Sequence, residues 1–415
     1  MRLPRPRALV PAGTLMADQT AAAGDIAQDD ALSESFLMEV LDSLVRTKSV
    51  NPGISEAEMA ARVSTWLEPS GAEIEIVETL PGRPSVGAVL RGSGDGPRLV
   101  LNGHLDTVPI DDESLWDTGP FEPVIKDDRF MYGRGSCDMK AGLTVQIATA
   151  HHLAKIRDRL KGDLVLHFAA GEECGEPGTL SLIEAGYVGD YGITGEPTDL
   201  RVATAQRGLA FYTVRIKGRS IHASRAHLGK NPNDWLPVVI QTIREYEADV
   251  TKREHPLCPG GSCTPTMVSA GVKENAVSDY CDVTLDRRLI PGETVEGGLR
   301  ELEARLDAVR RVDPEFDFEI RLWDNSFQPA EIRPSSPFAR RMAGIVERVT
   351  GTECEIYGTP YSSDVRNLVI DAGMEAITFG AGSVAECHCA NERVSIDQVR
   401  AAAVAIATVA RELLL

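Results

Sequence analysis

The order of strands and helices is the feature that most constrains the fold of this chain. The run RLVLNGHLDTVP indicates a buried strand that ends in polar residues, and LKGDLVLHFAAGEE repeats that pattern about sixty residues later. A long helix from Met139 lies between the two runs, and DYGITGEPT is a third strand of the same kind. This alternation predicts an α/β fold with a mostly parallel, twisted sheet flanked by helices, in which ligands bind beyond the carboxyl ends of the strands.

The length of the chain and a change of pattern in its middle predict two domains. A chain of 415 residues is long for a single hydrophobic core. Between residues 207 and 315 the order becomes strand, helix, two strands and helix. This order predicts a small β-α-β-β-α domain inserted into a larger one, which would consist of residues 33–206 and 316–415.

Residues 1–32 are predicted to be a disordered leader. Their apolar run is short and is broken by Pro11, so a secretory signal has weak support, and a true start at Met16 is an alternative. Ordered structure is expected from Ser33, where an amphipathic helix begins. A second helix is expected to open with a capping box of Ser55 and Glu58 and to end at Gly71.

The overall charge and the cysteines restrict the possible partners and compartment. The net charge of -19 and the lack of a basic, aromatic-rich block argue against binding to nucleic acid. No apolar stretch is long enough to span a bilayer, so no membrane association is expected. Eight irregularly spaced cysteines favour reduced thiols, and hence a cytoplasmic protein, over a disulfide framework.

Polar residues with the chemistry of metal ligands follow the predicted buried strands. His104 and Asp106 in GHLDTVP lie two apart on a strand, so the imidazole can bind a metal while the carboxylate takes its other N–H. Asp138 in GRGSCDMK opens a helix, where a carboxylate is also favoured without a metal. Glu172 and Glu173 are adjacent carboxylates at a strand end, where their repulsion calls for a cation or a proton.

Two further residues complete the set of candidate ligands. Glu196 in ITGEPT ends a third strand, and His388 in AECHCANE follows a glycine-rich turn. Taken one at a time, such residues are as often caps, surface carboxylates or core histidines. Together, mixed imidazole and carboxylate ligands suit zinc, manganese or cobalt better than calcium, and a bridging carboxylate is typical of sites with two ions.

The motifs GHLDTVP, GRGSCDMKAG, GEE, GEPT and HCANE, in this order, resemble a known family. It is the family of co-catalytic metallopeptidases that includes acetylornithine deacetylase, succinyl-diaminopimelate desuccinylase, aminoacylase and glutamate carboxypeptidase. The resemblance covers nearly the whole chain after the leader. It implies a di-metal aminopeptidase-like catalytic domain and an inserted lid domain, residues 207–315, that also mediates homodimerisation.

The resemblance implies a role for each candidate residue. His104, Asp138 and Glu196 would hold one metal ion, while Asp138 as the bridge, Glu173 and His388 would hold the other. Asp106 would orient His104. Glu172 would be the general base that takes the proton from the bridging water and passes it to the leaving nitrogen. Zinc is the first expectation for both ions, with cobalt or manganese as alternatives.

Three residues of the lid match positions of the family that contact the substrate. His222 in GRSIHAS would stabilise the tetrahedral oxyanion, and it would come from the partner subunit. Asn275 in KENAV and Arg288 in DRRLIPGE would bind the carboxylate of the substrate. The alternative for Arg288 is a salt bridge on the surface of the lid.

The implied function is a metal-dependent hydrolase that cleaves the amide C–N bond of a small N-acyl amino acid or a related substrate with a carboxylate. Hydrolysis of another C–N bond, in a carbamoyl, formyl or aromatic amine group, is the alternative, and a non-catalytic binding homologue is a third reading. Cys387 and Cys389 flank His388 and could be read as thiolate ligands or a nucleophile. Packing thiols are favoured, because residues so close in sequence rarely bind one ion and no C-x-x-C pair accompanies them.

Overall fold

The computed structural model describes residues 26–415. The leader up to residue 25 and the alternative start at Met16 lie outside the described residues. Ordered structure begins before Ser33: Ile26 and Leu32 are buried, and Asp29 pairs with His152 at 3.0 Å between Oδ2 and Nδ1. Residues 26–32, assigned to the leader from the sequence, therefore belong to the packed structure.

The described residues contain strands and helices that we number in chain order. The first nine strands are β1 (Glu73–Leu80), β2 (Arg83–Leu90), β3 (Arg98–His104), β4 (Val124–Lys126), β5 (Phe130–Tyr132), β6 (Asp163–Ala169), β7 (Tyr191–Thr194), β8 (Val202–Gln206) and β9 (Gly208–Lys217). The remaining strands are β10 (Ile221–His222), β11 (Ser262–Ala270), β12 (Ala276–Val277), β13 (Tyr280–Leu289), β14 (Phe318–Leu322), β15 (Ala330–Glu331), β16 (Ile356–Thr359), β17 (Glu375–Thr378) and β18 (Arg393–Ser395).

The α-helices are numbered in the same way. They are α1 (Glu34–Arg46), α2 (Ala57–Leu67), α3 (Ala141–Ala154), α4 (Gly178–Glu184), α5 (Leu236–Val250), α6 (Val295–Val312), α7 (Pro337–Thr350), α8 (Val365–Ile370) and α9 (Ile396–Leu414). No helix within residues 26–415 combines the length and the apolar character that crossing a bilayer requires.

The caps explain where several of these helices begin. Ser33 precedes α1 and its hydroxyl accepts a hydrogen bond from the N–H of Phe36, so the predicted start of this helix is confirmed. The predicted capping box of α2 is wrong. The Ser55 oxygen accepts a hydrogen bond from the N–H of Ala57 at 3.2 Å, and its hydroxyl donates to the carbonyl of Gly82. The side chain of Glu56, the residue that precedes α2, makes no cap. A capping box would instead join the Ser55 oxygen to the N–H of Glu58, three residues further on.

The chain divides into two compact units. The first unit contains the described residues up to Thr204 together with Ile332–Tyr357 and Ser363–Leu415, and the second contains Ala205–Glu331 and Gly358–Ser362.

The large sheet gives the first unit its α/β fold. Its strands run in the order β1-β2-β6-β3-β7-β17-β8. The central strands β6, β3, β7 and β17 are parallel, and the flanking pairs are antiparallel. Apolar residues cover both faces: α1, α2, α3, α7 and α9 pack in one core, and α4 and α8 pack in the other. The predicted α/β class with a mostly parallel central sheet flanked by helices is confirmed.

The second unit has an antiparallel sheet in the order β11-β13-β9-β14. Its core contains apolar residues of these strands and of α5 and α6. β14 pairs with β9, with Ile320 opposite Val214, although the sequence placed this strand in the larger domain. The end of the unit thus lies later than the predicted residue 315, because the alternating pattern of one strand does not reveal which sheet it joins.

Candidate metal centre

The candidate ligands of the first unit gather where the parallel strands end. His104 is the last residue of β3, Glu173 follows β6, and Glu196 follows β7. His388 lies in the segment after β17, and Asp138 lies just before α3. Because parallel neighbours end at the same edge of a sheet, residues far apart in sequence meet there.

One group of possible ligand atoms contains His104, Asp138 and Glu196, all within 4.8 Å of one another. His104 Nε2 lies 3.1 Å from Asp138 Oδ1 and 3.8 Å from Glu196 Oε1. His104 Nδ1 lies 2.9 Å from the backbone carbonyl of Asp106. A proton on Nδ1 would be donated to this carbonyl, which leaves the lone pair of Nε2 free for a metal ion.

Asp106 contacts more residues than His104 alone. Its carboxylate oxygen Oδ1 is 3.5 Å from His104 Nδ1, farther than the backbone carbonyl. The same carboxylate accepts hydrogen bonds from the N–H groups of Glu172 and Glu173 at 3.1 and 3.2 Å, and from Asn51 Nδ2 at 2.9 Å. Asp106 is fully buried, so it fixes the backbone of the turn that carries the two glutamates.

The second group of possible ligand atoms contains Asp138, Glu173 and His388. His388 Nε2 lies 3.3 Å from Asp138 Oδ2 and 3.2 Å from Glu173 Oε2. Asp138 therefore presents one oxygen to each group. A carboxylate shared in this way can bridge two ions.

The charges of the two groups fit divalent cations. Burial raises the pKa of Glu173 and Glu196, and the charge of Asp138 raises both further. Hydrogen bonds from His104 and His388 outweigh burial and hold the pKa of Asp138 well below its usual value. Hydrogen bonds to Asp138 and Glu173 raise the pKa of His388 to about 10. Within the described residues, the buried Glu173 Oε1 has no hydrogen-bond partner, as expected of an oxygen that binds a cation.

The two adjacent glutamates differ in their surroundings. Only Glu173 contributes an oxygen to a group of ligand atoms. Burial raises the pKa of Glu172 to about 8, and the charges of Asp364 and Glu173 add to this effect. A carboxylate with a pKa in this range beside a metal centre is a candidate for proton transfer.

His222, Asn275 and Arg288 belong to the second unit. His222 is exposed on β10 opposite Ala276, and the carbonyl of Asn275 accepts a hydrogen bond from the N–H of Ala223 at 2.9 Å. His222 and Asn275 are thus neighbours.

Arg288 is already paired. Its Nε and Nη2 donate to the two carboxylate oxygens of Asp286 at 2.8 and 3.0 Å. The preceding Arg287 is fully buried and pairs with Glu293. Arg288 is the more accessible of the two arginines, and its guanidinium already holds the carboxylate of Asp286.

The cysteines beside the ligands lie outside both groups of ligand atoms within the described residues. Cys137 Sγ and Cys387 Sγ are 3.9 Å apart, and all eight cysteines are free thiols. Burial raises the pKa of Cys389, so its thiol is not activated as a nucleophile.

Two residues next to the centre were not proposed as site residues from the sequence. Asn51 binds the carboxylate of Asp106, and Glu392 binds the backbone of Asp138. The sequence contains a pattern that could have indicated Glu392, since it follows the candidate ligand His388 by four residues in HCANE. No sequence pattern indicates Asn51, because the residues around it contain no candidate ligand.

Known proteins share both the sequence pattern and the fold. The model of peptidase family M20/M25/M40 matches residues 100–412. The chain is 26% identical over 396 residues to an N-formyl-4-amino-5-aminomethyl-2-methylpyrimidine deformylase of Bacillus subtilis, covering 88% of this chain and 91% of the relative. It is 28% identical over 376 residues to an acetylornithine deacetylase of Vibrio atlanticus, covering 88% of this chain and 94% of the relative.

The fold is similar to that of a metallo-carboxypeptidase of the M20 family, Sso-CP2 from Sulfolobus solfataricus. The TM-score is 0.76 at 20% identity, covering 92% of this chain and 99% of the other. The family match spans most of the chain and includes all five candidate metal ligands. The chain is therefore a hydrolase that belongs to peptidase family M20/M25/M40.

Proposed function

We propose that the protein hydrolyses the amide C–N bond of a small N-acylated substrate that carries a carboxylate. The observation that carries this proposal is the pair of ligand groups that share Asp138, with the carboxylate of Glu172 beside them. His104, Asp138 and Glu196 would hold one divalent ion, and Asp138, Glu173 and His388 the other. Ligands of this kind favour zinc, with cobalt or manganese as alternatives.

Two divalent ions, when bound, polarise the scissile carbonyl and lower the pKa of the attacking water. Glu172 accepts the proton of that water and passes it to the leaving nitrogen. Asp106 keeps Glu172 and Glu173 in place through their backbone N–H groups. Adjacent side chains diverge from this turn, so one carboxylate can bind metal while the other moves a proton.

The alternative substrate is a formyl or carbamoyl amide without a carboxylate. The deformylase from Bacillus subtilis supports it, since its name describes removal of a formyl group from an aminomethylpyrimidine. The ion pair of Arg288 and Asp286 also supports it, because the proposed carboxylate-binding fork is already filled. The carboxylate substrate is supported by relatives such as the acetylornithine deacetylase.

A substrate panel distinguishes the two proposals. N-acetyl, N-succinyl, N-carbamoyl and N-formyl amino acids would be assayed beside N-formyl aminomethylpyrimidines, with protein reconstituted with zinc, cobalt or manganese. Turnover of the acyl amino acids alone supports the first proposal, and turnover of the formyl pyrimidines alone supports the second. No hydrolysis of either group under any metal would contradict both.

The metal content is the first prediction. Elemental analysis of the reconstituted protein should give two divalent ions per chain. His388→Ala removes a ligand of one group only and should leave one ion, whereas Asp138→Ala removes the shared ligand and should release both. A wild-type content of one ion or fewer, or equal losses in the two variants, would contradict the assignment of Asp138 as the bridge.

Arg288 is the subject of the second prediction. Arg288→Lys should raise KM for the free acid about tenfold or more, because the loss of one charge-assisted hydrogen bond removes ~1.5 kcal/mol of binding. KM for the corresponding amide should change little. Asp286→Asn is the matched control: it frees the guanidinium and should lower KM for the acid. Equal effects of Arg288→Lys on acid and amide would make Arg288 a structural residue.

We also place the protein in the cytoplasm as a homodimer formed through the second unit. The eight free cysteines suit a reducing compartment. β11 is the edge strand of its sheet, and Met267 and Val268 on it are 59% and 53% exposed. An exposed apolar edge favours pairing with the same strand of a second copy.

A further inference from the structure

A buried carboxylate lies under the loop that carries Asp138. Glu392 is fully buried, and its partner Arg134 is only 3% exposed. Glu392 Oε1 accepts hydrogen bonds from the N–H groups of Cys137 and Asp138 at 2.9 and 3.0 Å. Oε2 accepts one from the N–H of Gly135 at 3.0 Å and one from Arg134 Nη1 at 2.6 Å. Each oxygen therefore accepts two hydrogen bonds.

The fold places Glu392 at this point by strand pairing. Glu392 immediately precedes β18, which pairs antiparallel with β5, so that Arg393 lies opposite Tyr132. The backbone carbonyl of Glu392 also accepts a hydrogen bond from the N–H of Gly133 at 2.9 Å. The residues that follow β5 are consequently held against the carboxylate by both its backbone and its side chain.

The segment from His388 to Glu392 contains a ligand of the second group and holds Asp138, which both groups share. His388 stands four residues before Glu392, and between them Asn391 accepts a hydrogen bond from the N–H of Asp117 at 2.8 Å and donates one to the carbonyl of Leu115 at 3.2 Å. A displacement of this segment would move a ligand of one group and the shared ligand together.

We infer that Glu392 is a positioning residue for the metal centre, which fixes the backbone of Asp138 so that its two carboxylate oxygens point to different ligand groups. Asp138 Oδ1 lies 3.1 Å from His104 Nε2, and Oδ2 lies 3.3 Å from His388 Nε2. A rotation of the Asp138 backbone would separate one oxygen from its group. The inference depends on the metal centre but not on the identity of the substrate.

Glu392→Gln tests this role with almost no change in shape. One end of the amide is an NH₂ group, which cannot accept a hydrogen bond. Whichever way the amide turns, two donors of the loop face another donor, either Cys137 and Asp138 or Gly135 and Arg134. The loop must then shift. Metal affinity should fall about 10- to 100-fold, the range expected when a residue that supports a ligand is lost.

The measurement is the chelator concentration that removes half of the metal from the zinc-loaded protein, together with the melting temperature of the metal-free protein. Glu293→Gln is the matched control, because Glu293 accepts hydrogen bonds from Arg287 Nη2 at 2.6 Å and from the N–H of Ile290 at 2.9 Å in the second unit. It should lower the melting temperature without changing the chelator midpoint. Equal chelator midpoints for folded Glu392→Gln and wild type, or equal losses in both variants, would overturn the inference.

Glu392→Asp covers the case in which Glu392→Gln does not fold. It keeps the charge and draws the carboxylate back by one methylene, so it should fold and hold metal more weakly than wild type. Wild-type affinity in this variant would overturn the inference, since the position of the carboxylate would then not matter. A wild-type protein that takes up no zinc would instead contradict the proposed metal centre itself.

Discussion

Glu172→Gln is expected to lower turnover by about 10² or more while both metal ions stay bound. A positioned group that transfers a proton contributes a factor of this size. Glutamine keeps the shape of the side chain but cannot take a proton from water. The backbone N–H of residue 172 still bonds to Asp106, so the turn should hold its conformation.

Glu173→Gln is the matched control, since the two residues are adjacent but only Glu173 contributes an oxygen to a ligand group. It should lower the metal content to one ion per chain, whereas Glu172→Gln should not. Turnover at saturating substrate and elemental analysis of the same samples check both variants. If Glu172→Gln loses an ion and Glu173→Gln does not, the roles of base and ligand are reversed.

His222→Ala is expected to lower kcat by about 10²- to 10³-fold, the loss observed when one donor to an oxyanion is removed. His222 Nδ1 accepts a hydrogen bond from the N–H of Ser224 at 3.2 Å. The proton of the neutral ring therefore lies on Nε2, which is free to donate to the negative oxygen that develops on the scissile carbonyl. Metal content should be unchanged, because His222 belongs to neither ligand group.

His227→Ala is the control for this variant. His227 is also exposed and lies in the 3-10 segment Ala223–Leu228, which His222 immediately precedes, so its loss should leave kcat close to wild type. If both variants lower kcat equally, the effect of His222 reflects the segment and not an oxyanion contact.

Mixing of subunits tests whether His222 acts on the partner copy in the proposed dimer. Inactive His222→Ala and Glu172→Ala subunits would be combined with different tags, and heterodimers isolated. One of their two sites then has an intact base and an intact histidine, so activity should return to about half of the wild-type value if each site works independently. Heterodimers that stay inactive while both parents retain metal would show that His222 does not act across the subunits.

The candidate metal ligands could be named from the sequence, and the structure brings them together in two groups. Periodic apolar runs mark strands locally, and in a parallel sheet the ends of these strands meet, so the sequence predicts that residues such as His104 and Glu196 lie together. The α/β class followed from the same local pattern. The prediction of the fold class is confirmed because strand periodicity is a property of short segments.

Other contacts were decided only by the tertiary structure. The Asp106 carboxylate, which the sequence predicts beside the ring of His104, lies 3.5 Å from its Nδ1 and also accepts hydrogen bonds from the glutamate turn and from Asn51. Glu392 reaches Asp138 across 254 positions of the chain. β14 joined the sheet of the second unit. The glutamate turn, Asn51, Asp138 and β9 are all distant in sequence from the residues that contact them. Hydrogen bonds between such partners depend on which strands pair and in which register, which no local pattern specifies.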